Sequence, residues 1–171
     1  MFDEKVSALA RALSTVLIER NLSIATVESC TGGGVAALFT SLSGSSVWFD
    51  RGFVTYSNAS KTQMVGVPES TLVQYGAVSE QTASAMAEGG VLHSDADIAL
   101  SITGIAGPSG GTLEKPVGTV CFAWSGLESF GLVEQTMVDT QCFMGDRTLV
   151  RSKSIEYALQ YLLARAESSS I

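Results

Sequence analysis

Ser29, Tyr56 and Lys61 are the side chains whose types and spacing best support covalent chemistry. Ser29 directly follows the apolar run "SIATVE" (23–28), where a hydroxyl at the end of a buried strand can reach an acyl carbon. Lys61 lies in the first turns of a predicted helix, whose positive end disfavours a further positive charge. A lysine with a lowered pKa can take a serine proton. The set predicts a serine nucleophile with Lys61 and Tyr56 as its acid–base partners.

The glycine-rich turn after Ser29 supports the same chemistry. The sequence continues Cys-Thr-Gly-Gly-Gly and then becomes a small-residue helical pattern. Backbone N–H groups at such a turn point outward and can hold a developing negative charge. We therefore expect the amides of Thr31, Gly32 and Gly33 to form an oxyanion site.

A dinucleotide fingerprint is the first alternative for this turn. Gly32, Gly34 and Ala37 match G-x-G-x-x-A between a predicted strand and a predicted helix. That pattern also needs an acidic residue at the end of the next strand, whereas Asp50 begins one. The fingerprint is therefore the weaker interpretation.

His93 is the only histidine and raises two further alternatives. It has no obvious partners for a Ser-His-Asp triad. With Asp95 and Asp97 it forms H-x-D-x-D, which is more typical of a helix end and a solvated turn than of a metal site. We expect neither a metal nor a cofactor.

The elements that must position these residues follow from hydrophobic periodicity. Strand-like runs alternate with helical ones, and the last two strands are consecutive, which predicts a single-domain α/β layered fold with a mixed β-sheet flanked by helices. The length fits one domain, which we place over 1–171. Predicted strands are 23–28, 49–57, 97–103, 119–124 and 128–140, and predicted helices are 2–20, 32–42, 58–66, 68–76, 79–94 and 146–166.

Composition narrows the class of protein. The chain has 171 residues, 46% of them apolar, and a net charge of −7, which disfavours nucleic acid or anionic membrane surfaces as partners. No segment is apolar for long enough to span a membrane. Three cysteines form no disulfide framework, which favours a reducing cytoplasm.

Five long motifs resemble one known family. They are "VESCTGG", "GSSVWFDRGFVTYSNASK", "GAVSEQTASAMAEG", "SITGIAGPSGGTLEKPVGTV" and "GDR". Together they are similar to the CinA C-terminal domain family over about residues 5–165. The sequence departs from common family patterns at Ser109, where many members have Asp, and at Met144, where many have Ser.

The resemblance implies a function. Stand-alone family members are nicotinamide-nucleotide amidases, which convert nicotinamide mononucleotide (NMN) and water to nicotinate mononucleotide and ammonia without a metal. The family's catalytic residues match Ser29, Tyr56 and Lys61. A homodimer is also suggested. The alternative is a catalytically silent nucleotide-binding or interaction protein of the same fold.

The resemblance also implies a substrate-binding loop. Glycines in "TGIAGPSGG" would let backbone amides approach a phosphate or ribose. Arg147 in "MGDR" would pair with the NMN phosphate. The predicted substrate-binding residues are Thr103, Gly104, Ala106, Gly107 and Arg147.

Overall fold

A computed structural model describes residues 2–130 and 135–168 of the chain. In this part of the chain one α-helix separates the first two strands, three α-helices separate the second and third strands, and two further strands follow before the last helix. The helices are α1 (Glu4–Glu19), α2 (Gly34–Thr40), α3 (Asn58–Val65), α4 (Glu69–Tyr75), α5 (Glu80–Leu92) and α6 (Arg147–Ser168). The strands are β1 (Ile24–Glu28), β2 (Phe49–Val54), β3 (Ile98–Gly104), β4 (Thr119–Ser125) and β5 (Met137–Cys142).

The described strands form one mixed sheet in the order β2-β1-β3-β4-β5. β1 pairs in parallel with β2 and with β3, whereas β3–β4 and β4–β5 are antiparallel. β1 and β3 are buried along almost their whole length, which explains their nearly continuous apolar sequences. The carboxyl ends of the three parallel strands therefore meet at one edge of the sheet.

The two faces of the sheet are covered differently. One face packs against α1, α2 and α6. There Phe122 and Trp124 of β4 share a core of large side chains with Phe39 of α2 and Trp48. The other face packs alanines and short aliphatic side chains against α5. Gly90 lets α5 approach closely, since a Cβ there would lie 2.7 Å from Val27 Cγ2. This close packing sets the distance between α5 and the sheet. Because α3 and α4 contact α5, it also sets their position relative to the sheet.

The predicted α/β class, with a mixed sheet flanked by helices, is confirmed. The helix predicted at 58–66 is also confirmed, with Ser57 accepting from the amide of Ser60 and Gly66 ending it at φ +70°. The strand predicted at 128–140 is wrong at its start, because Leu127–Phe130 form a short 3₁₀ helix and β5 begins at Met137. The centre of that prediction, 131–134, lies outside the described residues. Leu127 and Phe130 are buried in the core, so their apolar character reflects packing and not strand alternation.

Candidate active site

The candidate catalytic residues lie at the carboxyl edge of the parallel strands. Ser29 comes directly after β1, and its amide donates to the carbonyl of Ile102 on β3. Tyr56 follows β2, and Lys61 is in the second turn of α3. Binding sites of α/β sheets occur at this edge, because the loops after neighbouring parallel strands converge there.

Lys61 and Ser29 are in direct contact. The Lys61 Nζ lies 3.1 Å from the Ser29 Oγ and donates a second hydrogen bond, of 2.8 Å, to the carbonyl of Thr55. Ser29 is 8% exposed and Lys61 is 1% exposed. A neutral amine that donates to Thr55 can direct its lone pair at the serine hydroxyl. The pair therefore has the geometry of a nucleophile and its base.

Burial favours the neutral form of this lysine. Desolvation lowers the Lys61 pKa from its ordinary value of 10.5, and the nearby Cys30 thiol opposes this slightly. Among the ion pairs of the described residues, none involves Lys61. Burial also raises the pKa of Cys30 to about 12, so this thiol stays protonated beside the site. Cys30 is thus a poor nucleophile, as expected for a packed thiol.

The turn after Ser29 needs two glycines for its shape. Gly32 and Gly33 have φ values of +58° and +87°, a region that other residues rarely adopt. The amide of Gly32 donates to the carbonyl of Ser29, and the amide of Gly34 donates to that of Thr31. The Gly32 amide is therefore engaged within the turn. The amides of Thr31 and Gly33 are the better candidates for an oxyanion site, and their role stays a prediction.

Glu28 fixes this turn from inside the fold. Its carboxylate accepts hydrogen bonds from the amides of Val35, at 3.1 Å, and Ala36, at 2.9 Å, in the first turn of α2. The side chain is 1% exposed. A carboxylate at a helix N-terminus satisfies amides that have no partner in the helix. Glu28 thus acts as a structural carboxylate that joins the end of β1 to the start of α2.

Tyr56 and Arg147 form a second polar pair at the mouth of the site. The Arg147 guanidinium donates to the Tyr56 hydroxyl oxygen at 3.1 Å and to the Gly107 carbonyl at 2.9 Å. Tyr56 is 60% exposed. Its hydroxyl lies beside a permanent cation, and its hydrogen remains available for donation to another group. Arg147 joins three loops, because Tyr56, Gly107 and Arg147 follow β2, β3 and β5 respectively.

The end of β3 and the loop after it form the opposite wall. The Thr103 hydroxyl donates to the Ala77 carbonyl at 2.8 Å, so this side chain positions the α4–α5 connection. A Cβ at Gly104 would lie 2.8 Å from the Thr119 carbonyl oxygen, which explains why no larger residue fits there. Gly107 has a φ of +85° and presents its carbonyl to Arg147.

These residues surround a cavity of about 250 Å³. The lining does not include Thr31, Gly32, Gly33 or Gly107, which were also predicted for the site. A larger surface groove of about 370 Å³ between α3 and α4 brings no nucleophile next to a base. The residues lining this candidate cavity are Ser29, Cys30, Tyr56, Lys61, Ala77, Val78, Thr103, Gly104, Ala106 and Arg147.

Sequence reasoning missed three contributors to this site. Thr55 supplies the carbonyl that holds Lys61, and Ala77 and Val78 line the cavity from the α4–α5 connection. The last two lie within the motif "GAVSEQTASAMAEG", which was the available signal. Every residue type has a backbone carbonyl, so the sequence could not indicate that the carbonyl of Thr55 binds Lys61.

The residues behind the alternative interpretations are engaged elsewhere. Asp50 pairs with Arg51 at the start of β2, level with the beginning of β1, which is the wrong end of the strand for a ribose contact. The His93 ring Nδ1 contacts the Gly89 carbonyl at 2.9 Å, and Asp97 accepts from Ser23. Over 2–130 and 135–168, no cluster of three or more His, Cys, Asp or Glu side chains is arranged to hold a metal. None of the helices in these ranges has the length and apolar character of a membrane span.

Comparison with known proteins gives consistent matches over nearly the whole chain. The family model described as CinA C-terminal domain matches residues 6–166. The nicotinamide-nucleotide amidohydrolase PncC of Escherichia coli (strain K12) is 49% identical over 162 residues, which cover 95% of each chain. The protein of the same name from Pseudomonas putida is 43% identical over 160 residues, covering 94% of this chain and 96% of that one. The crystal structure of competence/damage inducible protein CihA from Agrobacterium tumefaciens superposes with a TM-score of 0.91 at 40% identity, covering 96% and 98% of the two chains.

Proposed function

The chain belongs to the CinA C-terminal domain family, and from that premise we propose that it hydrolyses the carboxamide of NMN to nicotinate mononucleotide and ammonia. The relatives from Escherichia coli and Pseudomonas putida, which match 95% and 94% of this chain, both carry the name nicotinamide-nucleotide amidohydrolase. This reaction would place it in the recycling of pyridine nucleotides.

The contact between Lys61 and Ser29 is the observation that carries the proposal. Amide hydrolysis needs a nucleophile whose proton can be removed near neutral pH. The 3.1 Å separation, with both side chains buried and the lysine pKa lowered, supplies that pairing without a histidine. A silent binding protein would gain nothing from burying a lysine next to a serine, since burial of a charged amine opposes folding.

The acylation step begins with proton transfer. Neutral Lys61 takes the hydroxyl proton as the Ser29 Oγ forms a bond to the carboxamide carbon. Negative charge develops on the amide oxygen, where the amides of Thr31 and Gly33 would stabilise it. The C–N bond then breaks and the nitrogen takes the proton that Lys61 received, either directly or through the Tyr56 hydroxyl, which is reprotonated by Lys61. Ammonia leaves, and Lys61 is neutral again. The product of this step is an ester between nicotinate mononucleotide and Ser29.

The deacylation step reverses these roles. Lys61 takes a proton from water as the water oxygen attacks the ester carbon. The Ser29 Oγ leaves and recovers its proton from Lys61, which releases nicotinate mononucleotide and restores the neutral amine. The pyridinium ring withdraws electrons from the carbonyl carbon in both steps. This makes the carbon more electrophilic and lowers the activation barrier.

The phosphate of NMN is proposed to lie near Arg147. Two nitrogens of this guanidinium already donate to Tyr56 and Gly107, so it is held at the mouth of the cavity with donors to spare. The backbone after β3, at Gly104 and Ala106, would approach the ribose. The net charge of −7 repels an anionic substrate, so a fixed cation at the mouth of the cavity would favour its binding.

An ammonia-release assay with NMN tests the function. The wild type should release ammonia from NMN, whereas Ser29→Ala and Lys61→Ala should each lose at least about 10³-fold in kcat. Lys5→Ala is a matched control, because Lys5 lies on the surface in an ion pair with Glu156. Full activity of Ser29→Ala would overturn the nucleophile. Absence of wild-type turnover, with NMN still bound, would favour the silent nucleotide-binding protein.

A further inference from the structure

We infer that Arg151 is a positioning residue that holds the nucleophile turn, 29–34, in its reactive conformation. Arg151 lies on α6, one helical turn after Arg147, and its Nη2 donates a 2.8 Å hydrogen bond to the carbonyl of Thr31. It acts through this main-chain contact, since it is absent from the lining of the catalytic cavity. The inference rests on the proposed function for its kinetic test.

The turn requires an external support because of its two glycines. Gly32 and Gly33 both have positive φ values, and glycine is the residue with the most conformational freedom to lose. The Thr31 carbonyl lies immediately before them and also accepts from the amide of Gly34. Holding this carbonyl fixes the plane of the Thr31–Gly32 peptide. That plane in turn sets the directions of the neighbouring amides proposed to hold the oxyanion.

The guanidinium of Arg151 lies close against the nucleophile turn. The position of a Cβ at Gly32 is 3.7 Å from the Arg151 Nη2, so the cation lies directly against the turn. Its Nε is buried and, within the described residues, has no hydrogen-bond partner. An unpaired buried donor costs free energy, and Arg151 carries this cost while its Nη2 holds the Thr31 carbonyl.

Arg151 and Glu28 hold opposite ends of the same segment. Glu28 binds the amides of Val35 and Ala36 after the turn, and Arg151 binds the carbonyl of Thr31 within it. The catalytic turn is therefore fixed both from the sheet and from α6. Displacement of a catalytic group by about 1 Å costs roughly 10²-fold in rate, which sets the scale expected here.

The structure also offers a chemical rescue experiment. Arg151 lines a cavity of about 260 Å³ between α1 and α6, together with Thr148 and Gly34. Removing the side chain would extend this cavity to the Thr31 carbonyl, where free guanidinium could bind from solvent. Millimolar guanidinium, far below denaturing concentrations, is the probe.

The test compares Arg151→Ala with Arg165→Ala, a matched change at an arginine of α6 that lies over Tyr161. NMN turnover by Arg151→Ala should fall about 10- to 100-fold in kcat with KM changed less than about threefold. Guanidinium should restore part of that loss and leave Arg165→Ala unchanged. A raised KM with an unchanged kcat would overturn the inference, because it would make Arg151 a substrate contact. An unchanged kcat, or a loss that guanidinium does not restore in a variant that folds normally by circular dichroism, would also overturn it.

A second readout is independent of NMN. The rate at which a fluorophosphonate labels Ser29 depends on the same nucleophile and oxyanion geometry. Arg151→Ala should be labelled at least about tenfold more slowly than the wild type, again with rescue by guanidinium. If the wild type reacts with the probe and does not hydrolyse NMN, the proposed function fails while the positioning role is still tested. Equal labelling of the wild type and Arg151→Ala would overturn the positioning role.

Discussion

The amine of Lys61 and the hydroxyl of Ser29 lie 3.1 Å apart although 32 positions separate them in the sequence. β1 carries Ser29 to the carboxyl edge of the sheet, and α3 brings Lys61 over it from the loop after β2. The carbonyl of Thr55, at the end of β2, fixes the amine at 2.8 Å. The parallel pairing of β1 and β2 therefore assembles the candidate dyad.

The first prediction concerns the pH dependence of activity. Desolvation lowers the Lys61 pKa below 10.5, so the fraction of neutral base rises as pH rises through that lowered value. We expect kcat/KM for NMN to fall about tenfold for each pH unit on the acidic side of this pKa. A pH profile of kcat/KM from initial rates of ammonia release measures it.

The control for this profile is Lys5→Ala, whose surface lysine lies in an ion pair with Glu156. It should give the same acid limb as the wild type. An activity that stays constant from acidic to alkaline pH would contradict Lys61 as the base.

The second prediction concerns the pH dependence of stability. Between the lowered folded pKa of Lys61 and 10.5 the unfolded chain binds more protons than the folded one. The free energy of unfolding therefore gains a contribution from this residue that increases as pH rises. Lys61→Met should lack that contribution, so the wild type should gain stability relative to the variant as pH rises. Urea unfolding of both proteins at a series of pH values measures the difference.

Comparing the two proteins isolates Lys61 from other titrating groups. Burial raises the Cys30 pKa to about 12, and this contributes with the opposite sign above the ordinary thiol pKa in both proteins. A wild-type stability that falls relative to Lys61→Met as pH rises would be incompatible with a lowered lysine pKa.

Much of this site was predictable because its residues sit at element ends. Ser29 follows an apolar run, Lys61 follows a capped helix start, and both positions are visible in residue type alone. The mixed sheet was likewise predictable from alternating strand and helix patterns. Phe130 misled the strand prediction, because a buried apolar residue in a 3₁₀ turn cannot be told from one in a strand by residue type alone.

The rest of the site depends on hydrogen bonds from side chains to backbone carbonyls. Residue types near each carbonyl do not indicate which distant side chain will bind it. Arg151 and Arg147 reach the carbonyls of Thr31 and Gly107 from 120 and 40 positions away. Thr55 contributes only its carbonyl to Lys61. Partners of this kind become visible when the fold places α6 across the loops after β1 and β3.

The third prediction concerns Glu28. Glu28→Ala leaves the buried amides of Val35 and Ala36 without their acceptor, and hydrogen bonds to a charged group contribute about 1.5–3 kcal/mol each. We expect a loss of about 3–5 kcal/mol in the free energy of unfolding by urea denaturation. Glu28→Gln keeps one acceptor oxygen and should lose less.

Glu88→Ala is the control for Glu28, because Glu88 is exposed and accepts a hydrogen bond from Ser84 on its own helix. Its stability should change by less than about 0.5 kcal/mol. A stability of Glu28→Ala equal to that of the control would show that Glu28 does not hold the turn.

The fourth prediction concerns Tyr56. Tyr56→Phe removes the acceptor of the Arg147 bond and the hydroxyl proposed to assist departure of ammonia. We expect kcat to fall about 10²-fold, within the range for loss of one acid–base group, with a smaller change in KM. Tyr75→Phe, at the end of α4 and partly exposed, should keep wild-type kinetics. A raised KM with unchanged kcat would show that Tyr56 positions Arg147 and does not act as an acid–base group.

The fifth prediction separates backbone strain from catalytic geometry in the turn. Gly32→Ala and Gly44→Ala both place a methyl group at positive φ, +58° and +82°, and neither Cβ meets a prohibitive contact. Each should lose about 1–2 kcal/mol in the free energy of unfolding. Gly44 lies outside the site, before Ser45–Val47, so its variant should keep full activity. Gly32→Ala should lose at least about 10²-fold in kcat, because relief of the strain rotates the Thr31–Gly32 peptide. Equal activity of the two variants would show that the turn tolerates this rotation and that the oxyanion is held elsewhere.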